Sequence, residues 1–232
     1  MIGNKMVGHN IINFDLPYLN QSTAMHCAKG HKILQPDQKG YWNNVFFDTM
    51  KWWQAGNRQN LISLDRLSKA FGHKGKNGSG KHFHALSRAE QEDYLENDLR
   101  ATAAVFNGIN QAESICESWT VFDIETAPRS IEYIQSVIPE FDPATVKTGN
   151  LKDPDKILQK IDDARENHLD SVLDKAGLHA DYSVPVAIGY LDSTGNMKLD
   201  FGSPKDLVTS FWEIAGEVWL SDYEQTKLKN NS

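Results

Sequence analysis

Residues 119–126 read Trp119-Thr120-Val121-Phe122-Asp123-Ile124-Glu125-Thr126, and this stretch decides how the rest of the chain is organised. Its β-branched and aromatic run predicts a buried strand. Asp123 and Glu125 lie two apart near the C-terminal end, so on a strand both point to one face. Two carboxylates that close repel each other, and partial burial raises their pKa values. A cation between them removes the conflict, and oxygen ligands of this kind suit Mg2+ or Mn2+ rather than zinc. Taken alone, the pair reads equally well as strand-end acids that cap a helix.

Working outward towards the C-terminus, Asp153 with Pro154 at the first helical position predicts a long helix closing near Gly177. Ile157, Ile161, Ala164, His168 and Val172 share one face of it. Residues 184–191, a Ser193-Thr194-Gly195 turn and residues 197–201 read as a hairpin. Ser203-Pro204 opens a helix with Leu207, Val208, Phe211 and Trp212 as its buried stripe. Towards the N-terminus, Met6-Val7-Gly8 is a short strand running into a polar turn, and Val45-Phe46-Phe47-Asp48 is a second buried strand. Leu61, Leu64, Leu67, Ala70 and Phe71 recur at helical spacing, with Gly72 as the stop. The glycine- and lysine-rich run 72–81 reads as a mobile loop. Ser87 and Glu90 form a capping box for a helix that runs to about Asn107 and is ended by Gly108.

The chain has 232 residues, enough for one α/β domain of ordinary size with a sizeable core. No apolar run approaches the roughly 18 residues of a membrane span, and the opening Met1-Ile2-Gly3-Asn4-Lys5 lacks the layout of a signal peptide. Two cysteines, Cys27 and Cys116, cannot build a disulfide framework, so a reducing, cytoplasmic setting is expected, in a bacterium or encoded by a phage. A net charge of −7 argues against coating nucleic acid by bulk charge. The charge is uneven, however: residues 1–110 carry 13 Lys+Arg against 9 Asp+Glu, while the remainder carries 11 against 22. An enzyme that handles one strand end is compatible with that division.

Two further segments hold acids where chemistry rather than solubility explains them. In Gly8-His9-Asn10-Ile11-Ile12-Asn13-Phe14-Asp15-Leu16-Pro17, Asp15 falls where a strand gives way to a helix, a position that also suits an N-cap. In Tyr94-Leu95-Glu96-Asn97-Asp98, Tyr94 and Asp98 are four apart and share a helix face. Together the three segments resemble the three motifs of the DEDD superfamily of 3′–5′ exonucleases. Asp123 and Glu125 match the Asp-x-Glu motif, Asn10 through Asp15 the second motif, and Tyr94 with Asp98 the Tyr-x-x-x-Asp motif of the tyrosine branch. The surrounding wording is most similar to exonucleases related to the proofreading domain of family B DNA polymerases.

That resemblance implies a ribonuclease H-like α/β fold, with a mixed five-stranded sheet flanked by helices, forming a single exonuclease domain over residues 1–232. It departs from the family in one respect. The motif order here is second, third, first, with the second and third in 1–110 and the first in 118–215, so the resemblance implies a circular permutation. The implied activity is two-metal hydrolysis of a phosphodiester, with Mg2+ or Mn2+ ions about 3.5–4 Å apart. Asp123 would bridge both ions, Glu125 and Asp98 would hold the one that activates water, and Asp15 would support the second. Tyr94 would orient the water. The product would be a nucleoside 5′-monophosphate released from a 3′ end, DNA and single strands being favoured. An exoribonuclease and an idle nucleic-acid-binding module are the alternatives.

Asn10 and Phe14 are expected beside the 3′ nucleotide because the family places those positions there, and Thr126 adjoins the first motif. Lys74, Lys76 and Lys81, with His73, His82 and His84, either grip a phosphate backbone or belong to a solvated loop. His26, Cys27 and His31 lack a fourth partner for zinc. His9 reads as a packing residue, and Asp48 as a helix cap rather than a fifth ligand. Trp52, Trp53, Trp119, Trp212 and Trp219 read chiefly as core or half-buried anchors.

Overall fold

The computed structural model describes residues 5–26, 45–55, 61–76, 80–149, 151–179 and 181–215. They divide into two compact units, one from residues 1–126 with 185–232 and the other from 127–184.

The first unit is built on a five-stranded mixed sheet. Its strands are β1 (Lys5–Gly8), β2 (Phe46–Asp48), β3 (Trp119–Pro128), β4 (Ser183–Asp192) and β5 (Met197–Phe201). Their spatial order is β2-β1-β3-β4-β5. β1 is parallel to β2 and to β3, with Val7 opposite Phe47 and Val121. β4 and β5 form the expected antiparallel hairpin. The helices of this unit are α1 (Asp15–His26), α2 (Thr49–Gln54), α3 (Leu64–Ala70) and α4 (Arg88–Glu113), together with helix 204–215.

Strand alternation sorts the two faces. Met6, Phe46, Phe122, Ile124 and Ile188 pack with Leu16 and Leu19 of α1 and with Leu207, Val208 and Phe211. Val7, Val121, Ala187 and Leu191 pack on the other face with Leu95, Leu99 and Phe106 of α4. Asp123 and Glu125 continue the Val121 face, so they meet α4. That apolar stripe allows α4 to carry Asn97 and Asp98 inward. Burying a charge costs roughly several kcal/mol, whereas each fully buried Leu or Phe contributes about 1.5–3 kcal/mol.

Ser87 accepts from the Glu90 N–H and Glu90 accepts in return, so the capping box is present. The helix does not stop at Gly108, however. It continues to Glu113 and ends on Ser114 at φ 52°. Gly108 is instead a point of close approach: a Cβ there would lie 2.3 Å from the Phe71 ring. Leu61 precedes α3 and is exposed, so that helix is shorter than the leucine spacing predicts.

The second unit holds α5 (Ile131–Val137), α6 (Pro154–Glu166) and α7 (His168–Leu173). Asp153 caps α6 with Pro154 in its first turn. The single long helix expected from 153 to 177 breaks at Asn167, whose ψ of 8° ends the α-helical path. Ile157, Ile161, Ala164, His168 and Val172 are nonetheless the half-buried face across the break. Among the described residues no helix is long and apolar enough to cross a membrane.

Candidate metal centre

The carboxyl ends of parallel strands leave a crevice where side chains of neighbouring turns converge. β1 ends at Gly8, where a Cβ would lie 2.2 Å from Ile11 Cγ2, so the turn can fold back tightly only over glycine. Asn10 then takes φ 65°. The Asp48 carboxylate, at the end of β2, accepts from the backbone N–H of Asn10 at 2.9 Å and of Ile12 at 3.0 Å. It also accepts from Met50 and Lys51, capping α2. Asp48 is therefore a cap, as its position in the sequence suggests, and in addition a clamp on the turn that delivers Asp15.

Asp15 opens α1 and is 5% exposed. Burial and then the charge of Asp123 raise its carboxyl well above the usual range, but Asp15 is not among the acids whose oxygens cluster closely enough to share one ion. Asp98, from α4, and Asp123 and Glu125, from β3, present carboxylate oxygens all within 4.8 Å of one another. Burial and then Asp98 push the Asp123 carboxyl up to about 7, against the pull of Lys76. Burial, Asp123 and Asp98 raise Glu125 well above its ordinary value. Burial also raises Asp98, where Lys76 is the main opposing influence.

Lys76 stands inside this group, ion-paired with Asp98 Oδ2. Burial disfavours its ammonium, but Asp98 and Asp123 outweigh that and hold the charge. Tyr94, one turn before Asp98, packs edge-on against Phe83 at 5.8 Å and lies 5.3 Å beneath the Lys76 Nζ. Burial, then Asp98, raises its hydroxyl pKa, so Tyr94 keeps its proton at neutral pH.

The remaining sequence-predicted residues are less concentrated. The Asn10 side-chain oxygen accepts from Asn13 at 3.0 Å, and Phe14 stacks on Tyr18 at 6.2 Å. Thr126 is half-buried just beyond Glu125, and Lys74 is exposed. The Lys81 and His82 side chains lie outside the described residues, as do Cys27, His31 and Trp219. His9 is a packing residue: Nε2 donates to the Ile62 carbonyl at 3.1 Å, Nδ1 lies 2.9 Å from the Thr49 hydroxyl, and burial lowers its pKa. Trp119 is buried, Trp52 donates to Glu113, and Trp212 donates to Thr23 at 2.6 Å.

Two residues of the site were not singled out by the sequence. Asn97 Nδ2 donates to the Gly75 carbonyl at 3.1 Å, and Asp65 Oδ1 accepts from the Lys76 N–H at 3.0 Å. Together they fix the described end of the glycine-rich segment, residues 72–76, which the sequence presents as mobile. Only the glycine at 75, which takes φ 95°, hints at this.

The three carboxylates could hold a metal ion. Asp98 is 2% exposed and its Oδ1 has no hydrogen-bond partner, so a buried acceptor is left for a cation to satisfy. An all-oxygen donor set suits a hard divalent ion. Asp15, Asp98, Asp123 and Glu125 all belong to the first unit. Compared with known protein families, with curated proteins and with solved structures, the chain finds no match.

Proposed function

We propose that the chain is a metal-dependent 3′–5′ exonuclease of the DEDD tyrosine branch, with its motifs circularly permuted on a ribonuclease H-like fold. The observation that carries this reading is the convergence of Asp98, Asp123 and Glu125, drawn from two separate motifs, with buried Asp15 of the remaining motif near enough to feel the charge of Asp123. Four carboxylates whose pKa values are raised, by burial first and for three of them by a neighbouring acid, are a cost to folding, and a binding module with no ion to hold has no use for them.

The strand order supports the permutation. The end of β4 meets the start of β3, where the Ser193 N–H donates to the Trp119 carbonyl at 2.9 Å. Counted from β3, the sheet becomes 3-2-1-4-5, a meander followed by two strands parallel to the first. That arrangement is compatible with a ribonuclease H-like fold.

Asp123, Glu125, Asp98 and Asp15 would hold Mg2+ or Mn2+, which supplies Lewis-acid stabilisation of the phosphodiester and of the attacking water. The chain's own contribution is positional. Tyr94 retains its proton and orients water by hydrogen bonding rather than by acting as a base. Asn10 and Phe14, on the turn clamped by Asp48, would meet the terminal nucleotide. A phosphodiester next to a 3′ end is the bond cut, in DNA by preference, and the expected setting is the cytoplasm.

The test is to incubate the purified chain with 3′-labelled and 5′-labelled single strands of DNA and RNA, in Mg2+, Mn2+ or EDTA. Mononucleotide should leave from the 3′ end, and EDTA or Asp123→Ala should abolish it. If neither ion supports degradation, the enzyme reading fails and the idle binding module takes its place. If RNA is cut as fast as DNA, the substrate preference fails.

A further inference from the structure

Lys76 is the one described cation ion-paired within the acidic group, and its surroundings are constructed. Gly75 must be glycine, because at φ 95° a Cβ would lie 2.4 Å from Asp65 and from Lys69. The Gly75 N–H donates to His73 Nδ1 at 3.1 Å, its carbonyl accepts from Asn97, and the Lys76 N–H is held by Asp65. The backbone at Lys76 is thus fixed from both sides. The side chain is another matter, being long, unbranched and 26% exposed. Its ammonium takes Asp98 Oδ2, while Oδ1 of the same carboxylate is left without a partner.

We propose that Lys76 is the built-in counter-ion of the metal centre and gives up Asp98 when a divalent ion binds. The inference rests on the reading that these acids hold such an ion. Ionised Asp98, Asp123 and Glu125 repel one another, and in the metal-free chain Lys76, paired with Asp98, offsets that repulsion. A divalent ion coordinated by the same three carboxylates would stand within a few ångströms of the ammonium, where like charges in a half-dry site repel strongly. The Lys76 side chain is partly exposed, so the ammonium can swing towards solvent while the backbone stays held. There it becomes a free positive charge at the rim of the site, where the phosphate of a strand end would arrive. Metal affinity is therefore set by an exchange of cations.

The experiment is a Mn2+ titration of wild-type chain and Lys76→Met by calorimetry, with amine labelling of the wild type by acetic anhydride read by mass spectrometry. Lys76→Met should bind Mn2+ at least tenfold more tightly, because nothing has to be displaced. It should melt below wild type in EDTA and level with it in saturating Mn2+. Labelling of Lys76 should speed up several-fold when Mg2+ is added to the wild type. Equal or weaker Mn2+ binding by a folded variant overturns the exchange and leaves the metal centre standing. If the variant does not fold, the labelling decides, and an unchanged rate in Mg2+ overturns the exchange. If the wild type and the variant both ignore Mn2+, the metal centre itself fails and the exchange fails with it.

Discussion

The Asp48 carboxylate holds the Asn10 backbone N–H at 2.9 Å, tying the end of β2 to the turn after β1. The same oxygen accepts from Met50 N–H at 2.9 Å, so one side chain caps a helix and sets the entry of Asp15 into the acidic group. Asp48 is 4% exposed, and removing it strands buried donors on two segments at once.

Asp48→Ala should therefore cost about 2–4 kcal/mol in urea unfolding, combining a lost cap with the loss of charged hydrogen bonds. Asp48→Asn should recover much of this, since an amide oxygen still accepts and Asn is a good cap. Metal affinity should fall in the Ala variant through misplacement of Asp15, although Asp48 touches no ion. An Ala variant as stable as wild type would show that the clamp carries no weight.

Gly108→Ala should destabilise the chain even though alanine is the better helix former by about 1 kcal/mol. The new methyl would sit 2.3 and 2.6 Å from two atoms of the Phe71 ring, which must turn away and lose its packing on α4. Overpacking of this kind costs about 1–3 kcal/mol, so the net effect is a loss. The double variant Gly108→Ala with Phe71→Ala should show positive coupling in a double-mutant cycle, measured by thermal unfolding.

That glycine marks where the sequence stopped being legible. Local chemistry was readable: the Ser87–Glu90 box, the Asp153-Pro154 start and the alternation along β3 that points Asp123 and Glu125 the same way all appear as read. Each is decided within a few residues. Gly108 has the signature of a stop, but it is a contact whose partner, Phe71, lies 37 positions away, and no window of sequence contains both. The segment around Lys76, a loop as read, shows the same limit. Glycine and lysine suggest mobility, whereas Asn97 and Asp65 hold the backbone from outside the segment. Asp98, Asp123 and Glu125 do come together, as the segments read in combination suggest, although a strand-end acid alone also suits a cap, which is what Asp48 proves to be.

The raised Asp123 carboxyl makes the metal-free fold sensitive to pH. Its folded pKa of about 7 exceeds the roughly 3.9 of an unfolded aspartate. The folded state therefore holds the extra proton between those values, and the stability it contributes is full below about pH 4 and is lost as pH rises through 7. Burial and then Asp98 oppose ionisation of Asp123, while Lys76 and the Ile124 backbone N–H favour it. In EDTA at pH 8, Asp123→Asn should melt above wild type by about 2–6 °C, and the gap should narrow as pH falls below 7 and close only below about pH 4. Saturating Mn2+ at pH 8 should reverse the order, stabilising wild type and leaving the variant unmoved. A wild type that outlasts the variant at pH 8 in EDTA would remove the electrostatic cost assigned to this site.

Tyr94→Phe isolates the hydroxyl from the ring. The edge contact with Phe83 and the packing beneath Lys76 belong to the ring and survive the change. The hydroxyl's hydrogen bonds with Asp98 and Lys76 are lost, so the fold should persist with only a small loss of stability and Mn2+ affinity. On the proposed reading the hydroxyl donates one hydrogen bond to the attacking water. Losing a bond of that kind is worth about 1.5–3 kcal/mol, or roughly ten- to a hundredfold in turnover. Because burial and Asp98 keep the Tyr94 proton in place, the variant's pH–rate profile should be scaled down with its shape intact. A profile that loses its alkaline or acid limb would instead make Tyr94 a proton carrier, and an unchanged rate would remove it from the reaction.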